Sequence, residues 1–97
     1  MLILQTVDSG GTMHGFSIAE AILESSGDVL QVEEGSLYPA LQRLLVKGYL
    51  TGDWGKTSDN RRARYYKVTA AGRKQLGLEV EEYLLVNRAI VRIIQPA

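Results

Sequence analysis

Cysteine is absent from the 97 residues of this chain, which excludes disulfides, thiolate zinc sites and thiol catalysis and suits a reducing cytoplasm. Histidine occurs once, at His14, too rarely to build a histidine metal site or a catalytic triad, so His14 reads as structural. Long apolar runs are also missing. Nothing approaches the ~20 residues of a membrane span, and Met1-Leu2-Ile3-Leu4-Gln5 lacks the basic region of an export signal, so a soluble, cytoplasmic protein is expected. Ser36 has no candidate base near it in sequence, and the adjacent acids Glu33-Glu34 and Glu81-Glu82 point different ways on a helix. With no glycine-rich phosphate cradle either, the chain is expected to be no enzyme and to need no metal or cofactor.

Net charge is lacking too, at zero, and taken alone this argues against a polyanionic partner. The charges are segregated, however. From Lys56 to Lys74 seven basic residues stand against the single acid Asp59, a local +6, and the remainder balances it at −6. An apolar content of 45% fits one compact domain.

Leu2, Ile3, Leu4 and Val7 predict a first helix ending before Ser9-Gly10-Gly11. It begins in the middle of an apolar face without a cap, so one or two further turns are expected upstream. Phe16, Ala19, Ile22 and Leu23 recur at helical spacing and predict a second helix from Gly15 to Ser26, with Gly27 supplying the left-handed residue at its end. Val29, Leu30 and Val32 suggest a short extended strand leading to Glu33-Glu34, acids suited to the positive end of a third helix. Leu37, Leu41, Leu44 and Leu45 form its buried stripe, and Gly48 ends it. Pro39 lacks a donor; inside a helix starting at Glu34 it removes one backbone bond and bends the start. Tyr49–Trp54 and Arg62–Val68 alternate as strands around an exposed, mobile tip, Gly55–Asn60. On the return strand Arg64, Tyr66 and Val68 share one face, with Tyr66 and Val68 in the core, and Ala63, Tyr65 and Lys67 share the other. Thr69 resembles the N-cap of a last helix reaching about Ile94, with Pro96 marking its end.

Helix, helix, short strand, helix, hairpin, long helix is the order of a winged helix-turn-helix. The expected fold is α+β, mainly α: residues 1–69 form the winged helix-turn-helix and 70–97 a C-terminal dimerisation helix packed on the same domain. Opposite its leucines the third helix carries Ser36, Pro39, Gln42 and Arg43. In a DNA major groove, Ser36 and Gln42 can bond phosphates or base edges, and Arg43 can pair with guanine or phosphate. Lys56, Arg61, Arg62 and Arg64 on the hairpin can follow the phosphate backbone or enter a narrow minor groove. Trp54 reads as a cross-strand partner within the hairpin, with base stacking as its alternative role. The last helix has more apolar residues than one packing face needs. Val80, Leu84, Asn87, Val91 and Ile94 follow a four-three spacing, and Tyr83, Val86, Ile90 and Ile93 make an adjoining stripe, which predicts pairing with a second subunit registered by Asn87.

These segments together resemble the PadR family of transcriptional regulators, in particular its short acidobacterial-type members. The resemblance rests on Met13-His14-Gly15-Phe16, on the run Val32-Glu33-Glu34-Gly35-Ser36-Leu37-Tyr38-Pro39-Ala40-Leu41, on Trp54-Gly55 with Asn60-Arg61-Arg62-Ala63-Arg64-Tyr65-Tyr66, and on Thr69-Ala70-Ala71-Gly72-Arg73. It implies a homodimeric repressor on a roughly palindromic DNA operator. It further implies that Ser36, Tyr38 and Pro39 lie at the DNA end of the recognition helix, Tyr38 donating to a phosphate, with Arg62 and Arg64 in the wing. Some family members hold planar aromatic ligands between subunits through aromatic residues of the C-terminal region. Here that region has Tyr83 alone, and a small-molecule effector is unsupported. The competing expectation is a winged-helix module whose third helix and wing bind a protein partner instead of DNA.

Overall fold

The computed structural model describes residues 1–95; the expected stop at Pro96 lies outside the described residues. Four helices and one small sheet follow in the order α1 (Leu2–Gly10), β1 (Met13–His14), α2 (Gly15–Ser25), α3 (Glu34–Val46), β2 (Leu50–Lys56), β3 (Arg62–Val68) and α4 (Ala70–Ile94). The sheet is antiparallel with β3 in the middle, β1 on one side and β2 on the other.

The core lies where α1, α2 and α3 meet the root of the hairpin. Leu4 and Val7, Ile18 and Ile22, and Leu37 and Leu41 are buried against Leu50, Tyr66 and Val68, and Leu76 of α4 closes the same cluster. The helical spacings expected from sequence hold for Leu4, Val7, Ile22, Leu37 and Leu41; Ile18 and Leu76 join the core without having been expected there, and Leu44 and Leu45 pack half-buried beside them.

Phe16 departs from its expected place in the core: it is 62% exposed. His14 caps α2, its Nδ1 accepting from the Ser17 backbone N–H at 3.4 Å, and the helix begins at Gly15 as expected; its buried stripe, however, runs through Gly15, Ile18 and Ile22. Phe16, next to Gly15 in sequence and so about 100° round the helix from it, points outward. Ile18→Ala should cost about 2–5 kcal/mol in chemical denaturation, whereas Phe16→Ala should stay within about 0.5 kcal/mol of wild type.

The short strand is also corrected. Val29, Leu30 and Val32 form no strand. The segment leaves α2 through Gly27 and Asp28, both left-handed (φ 63° and 64°), and Ser26 Oγ accepts from the Leu30 N–H at 2.9 Å. The third strand is Met13–His14, which pairs with Tyr66 and Tyr65 along the open edge of β3. Two residues are too few for an alternating pattern to be visible. Minor boundary shifts accompany this: α1 runs to Gly10, and β2 extends to Lys56, which shortens the tip to five residues.

α3 starts at Glu34 and continues through Pro39, whose ring nitrogen cannot donate to the Gly35 carbonyl one turn back. Thr69 is the N-cap of α4, as expected, and it does more. Its Oγ1 accepts from the Gly72 N–H at 3.0 Å and donates to the Gly48 carbonyl at 2.6 Å, and its own N–H donates to the Tyr49 carbonyl at 3.0 Å. These bonds fasten α4 to the junction between α3 and β2. Arg73 pairs with Asp8 of α1 at 3.2 Å, and Val80 packs on the core from outside. From Glu81 to Gln95 every residue of α4 is exposed, and the helix projects, giving a molecule 55 Å long and 29 by 22 Å across.

Candidate nucleic-acid interface

α3 presents its residues on three bearings. With Leu37 and Leu41 buried, Gly35, Pro39, Gln42 and Val46 form the outward crest, all exposed. Tyr38 lies on the flank toward α2 and the hairpin, 47% exposed. Its ring rests on Gly15, where a Cβ would fall 2.8 Å from the ring; the missing side chain of Gly15 makes room for it. Ser36 and Arg43 lie on the opposite flank, where with Ala40 and Lys47 they border a groove against Leu2 and Ile3 of α1.

The hairpin stands beside the Tyr38 flank. β2 and β3 pair in unbroken register from Leu50 opposite Val68 to Lys56 opposite Arg62. The tip is held by the Thr57 N–H on the Arg61 carbonyl (2.8 Å) and the Asn60 N–H on the Thr57 carbonyl (2.9 Å), with Asn60 left-handed at φ 62°, a conformation asparagine tolerates. Tyr65, on the outer face, donates to the Lys56 carbonyl at 3.0 Å, and its ring stands perpendicular to that of His14 with their centres 5.5 Å apart. His14 is therefore occupied as a cap and a packing surface, its Nε2 lying 2.8 Å from Ser17 Oγ.

Between the first turn of α2, Tyr38 and the hairpin lies a cleft of about 520 Å³. Arg61, Arg62 and Arg64 line one wall, Ser17 and Glu20 the other, and Phe16 and Tyr38 add aromatic surface. Arg64 is half-buried and its Nε, enclosed, has no hydrogen-bond partner. The ion pairs among the described residues, from the N-terminal ammonium to Glu79 and from Arg73 to Asp8, leave these three arginines outside any salt bridge, although Glu20 and Asp59 line the same cleft. The structure thus brings together Tyr38, Arg61, Arg62 and Arg64. Pro39 and Gln42 stay on the crest, Ser36 and Arg43 border the far groove, and Lys56 lies opposite Arg62 toward the tip.

Burial holds the Tyr66 phenol above its ordinary value of 10.0; Arg64 opposes this by lowering it, and Tyr38 adds to the rise. A group that binds its proton more tightly when folded supports the fold below its unfolded pKa, and that support is lost as pH climbs past it. Stability should therefore fall above about pH 10, and the part due to Tyr66 should vanish in Tyr66→Phe, as measured by denaturation across alkaline pH.

Sequence reasoning did not find Phe16, Ser17 or Gly52 as parts of this region. Phe16 looked like core, and the placement of Ser17 follows from the His14 cap. Gly52 becomes meaningful only with the strand register, because Arg64 lies across it.

Residues 3–78 match the family described as Transcriptional regulator PadR-like. The chain belongs to the PadR family of transcriptional regulators. A relative from Lysinibacillus sphaericus described as uncharacterized protein X is 30% identical over 77 residues, 79% of this chain and 71% of the relative. A solved transcriptional regulator from Clostridium thermocellum superposes with a TM-score of 0.86 at 26% identity, covering 97% of this chain and 90% of the other. Bacillus subtilis PadR, solved in complex with operator DNA, shares the fold with a TM-score of 0.71 at 22% identity, over 81% of this chain and 43% of its own length. The PadR architecture of a mainly helical domain, a small antiparallel sheet and a long C-terminal helix is that described above. Among the described residues no helix is long and apolar enough to cross a membrane, and no group of three or more histidine and acidic side chains is placed to hold a metal ion.

Proposed function

We propose that this PadR-family chain is a sequence-specific DNA-binding repressor that works in the cytoplasm as a homodimer on a palindromic operator. The observation that carries the reading is the convergence of Tyr38 and of Arg61, Arg62 and Arg64, none of them in a salt bridge, on one cleft beside the exposed crest of α3. Residues 1–69 form the reading head. Pro39 and Gln42 enter the major groove, Ser36 and Arg43 meet base edges or phosphates on its far side, and Tyr38 donates to a phosphate on the near side. Lys56, Arg61, Arg62 and Arg64 run along the adjoining backbone or minor groove. Family membership and the fold shared with a regulator solved on operator DNA support this assignment.

Residues 70–97 hold two copies together. Tyr83, Leu84, Val91 and Ile94 are exposed in the single chain, as are Val86, Ile90 and Ile93 of the adjoining stripe, and monomers rarely leave so many apolar side chains of one helix in water. Asn87 sits in that seam and fixes its register; Val80, at the root, packs partly on its own core. Burying the stripe against a second α4 gains about 25 cal/mol per Å² of apolar surface. Sedimentation should give a dimer at micromolar concentration, and a monomer would refute the pairing.

The function itself is tested by fluorescence anisotropy, titrating the protein onto DNA upstream of its own gene and onto scrambled DNA at two salt concentrations. Salt-sensitive binding that prefers the upstream DNA by ~10³ or more is expected. No binding even at low salt would turn the reading toward a protein partner for the same surface.

A further inference from the structure

Trp54 is 61% exposed on the hairpin, so burial does not explain a tryptophan there, and threonine or valine would satisfy the strand as well. On the sheet face that begins in the core, β2 contributes Leu50, Gly52, Trp54 and Lys56, and β3 contributes Val68, Tyr66, Arg64 and Arg62. By register Arg64 stands opposite Trp54, and Arg62 opposite Lys56. Both arginines nevertheless lean one step toward the root. Arg64 Nε lies 2.5 Å from where a Gly52 Cβ would be, and the Arg62 guanidinium stands 4.3 Å over the centre of the Trp54 ring.

Two physical consequences follow from that stack. It draws Arg62 away from Lys56, the like charge directly across the ladder, which would otherwise weaken the hairpin. It also orients a long flexible cation without neutralising it. A carboxylate partner would hold Arg62 equally well but would cancel the charge that a phosphate needs, whereas an indole face restrains the guanidinium plane and leaves its N–H edge unpaired.

We propose that Trp54 is a positioning residue for nucleic-acid binding: its ring presets Arg62 over the wing so that the guanidinium edge meets a backbone phosphate of the DNA. This rests on the DNA-binding reading above. The test is an anisotropy titration over a series of salt concentrations with wild type, Trp54→Leu, Trp54→Phe, Arg62→Ala and the Trp54→Leu/Arg62→Ala double variant, each first checked for an unchanged melting temperature. Trp54→Leu should weaken binding roughly threefold to tenfold, Trp54→Phe should recover most of that loss, and Trp54→Leu should cost nothing further once Arg62 is gone. Equal losses from Trp54→Leu with and without Arg62 would overturn the proposal, as would wild-type affinity in Trp54→Leu. Because Trp54 is the sole tryptophan, its emission reads the stack without DNA: Arg62→Ala should shift it, and an unchanged spectrum would overturn the proposal even if the leucine variant failed to fold. Wild-type protein that binds no DNA at low salt would remove the functional reading and this proposal together, whereas wild-type binding with additive losses would remove this proposal alone.

Discussion

Gly72→Ala is expected to destabilise the protein by about 2–3 kcal/mol or more, the range for forcing atoms into a packed site, and Gly77→Ala to stabilise it by about 0.5–1 kcal/mol. Both glycines lie in α4, where alanine is ordinarily the better helix former. Gly77 has open space at its missing Cβ, so the ordinary gain applies. At Gly72 the added carbon would collide with the Tyr49 carbonyl oxygen, a backbone atom that cannot swing aside. That same oxygen accepts the Thr69 N–H, and Thr69 caps the helix and bonds the Gly48 carbonyl, so the collision loosens the whole attachment of α4. Thermal melts at one fixed protein concentration check both signs, since a dimer's midpoint depends on concentration. The expected change is a fall of about 10–20 °C for Gly72→Ala and a rise of a few degrees for Gly77→Ala. A neutral Gly72→Ala would mean that α4 is not seated on the α3–β2 junction.

Arg62→Ala with Arg64→Ala should reduce affinity for every DNA sequence, by roughly tenfold to a hundredfold near physiological salt, and should lower the slope of log affinity against log salt by about 1.8 for two lost phosphate contacts. The stability of the variant should change little. Arg62 is exposed, and truncating Arg64 removes an enclosed Nε that has no partner to lose. Gln42→Ala and Arg43→Ala should behave differently, altering the preference among operator bases by about 1–3 kcal/mol per lost base contact while leaving the salt slope nearly intact for a contact made to a base. Salt-resolved anisotropy on operator and scrambled DNA separates the two classes. A wing double variant that binds as wild type would sink the proposed mechanism.

Much of this molecule was legible before any coordinates. The leucines of α3 and the isoleucine of α2 at Ile22 recur at helical spacing, Thr69 stands where a cap must be, and the alternation of Arg64, Tyr66 and Val68 places two of them in the core. The family was legible too, because Leu-Tyr-Pro-Ala-Leu and the arginine-rich wing are contiguous strings. Phe16 is misplaced because periodicity alone does not say which of two adjoining stripes is buried: Gly15, Ile18 and Ile22 face the core, and Phe16, about 100° round the helix from Gly15, does not. β1 was misplaced because a two-residue bridge carries no periodicity, and its existence depends on an open edge of β3 that is far away in sequence.

The sequence by itself determined the four helices, the hairpin and their order, the cationic segment and the apolar excess of α4, since these depend on local propensity and on periodicity within a single segment; the place of β1 was not among them. Tertiary structure alone decided which groups meet. The pairing of Tyr38 with Gly15, of Arg64 with Gly52, of Arg62 with Trp54 and of Gly72 with the Tyr49 carbonyl each joins segments set by strand register and helix seating. A shift of one residue in that register would move every one of the hairpin contacts to the other face. Such contacts belong to the fold as a whole, and no stretch of the chain encodes them separately.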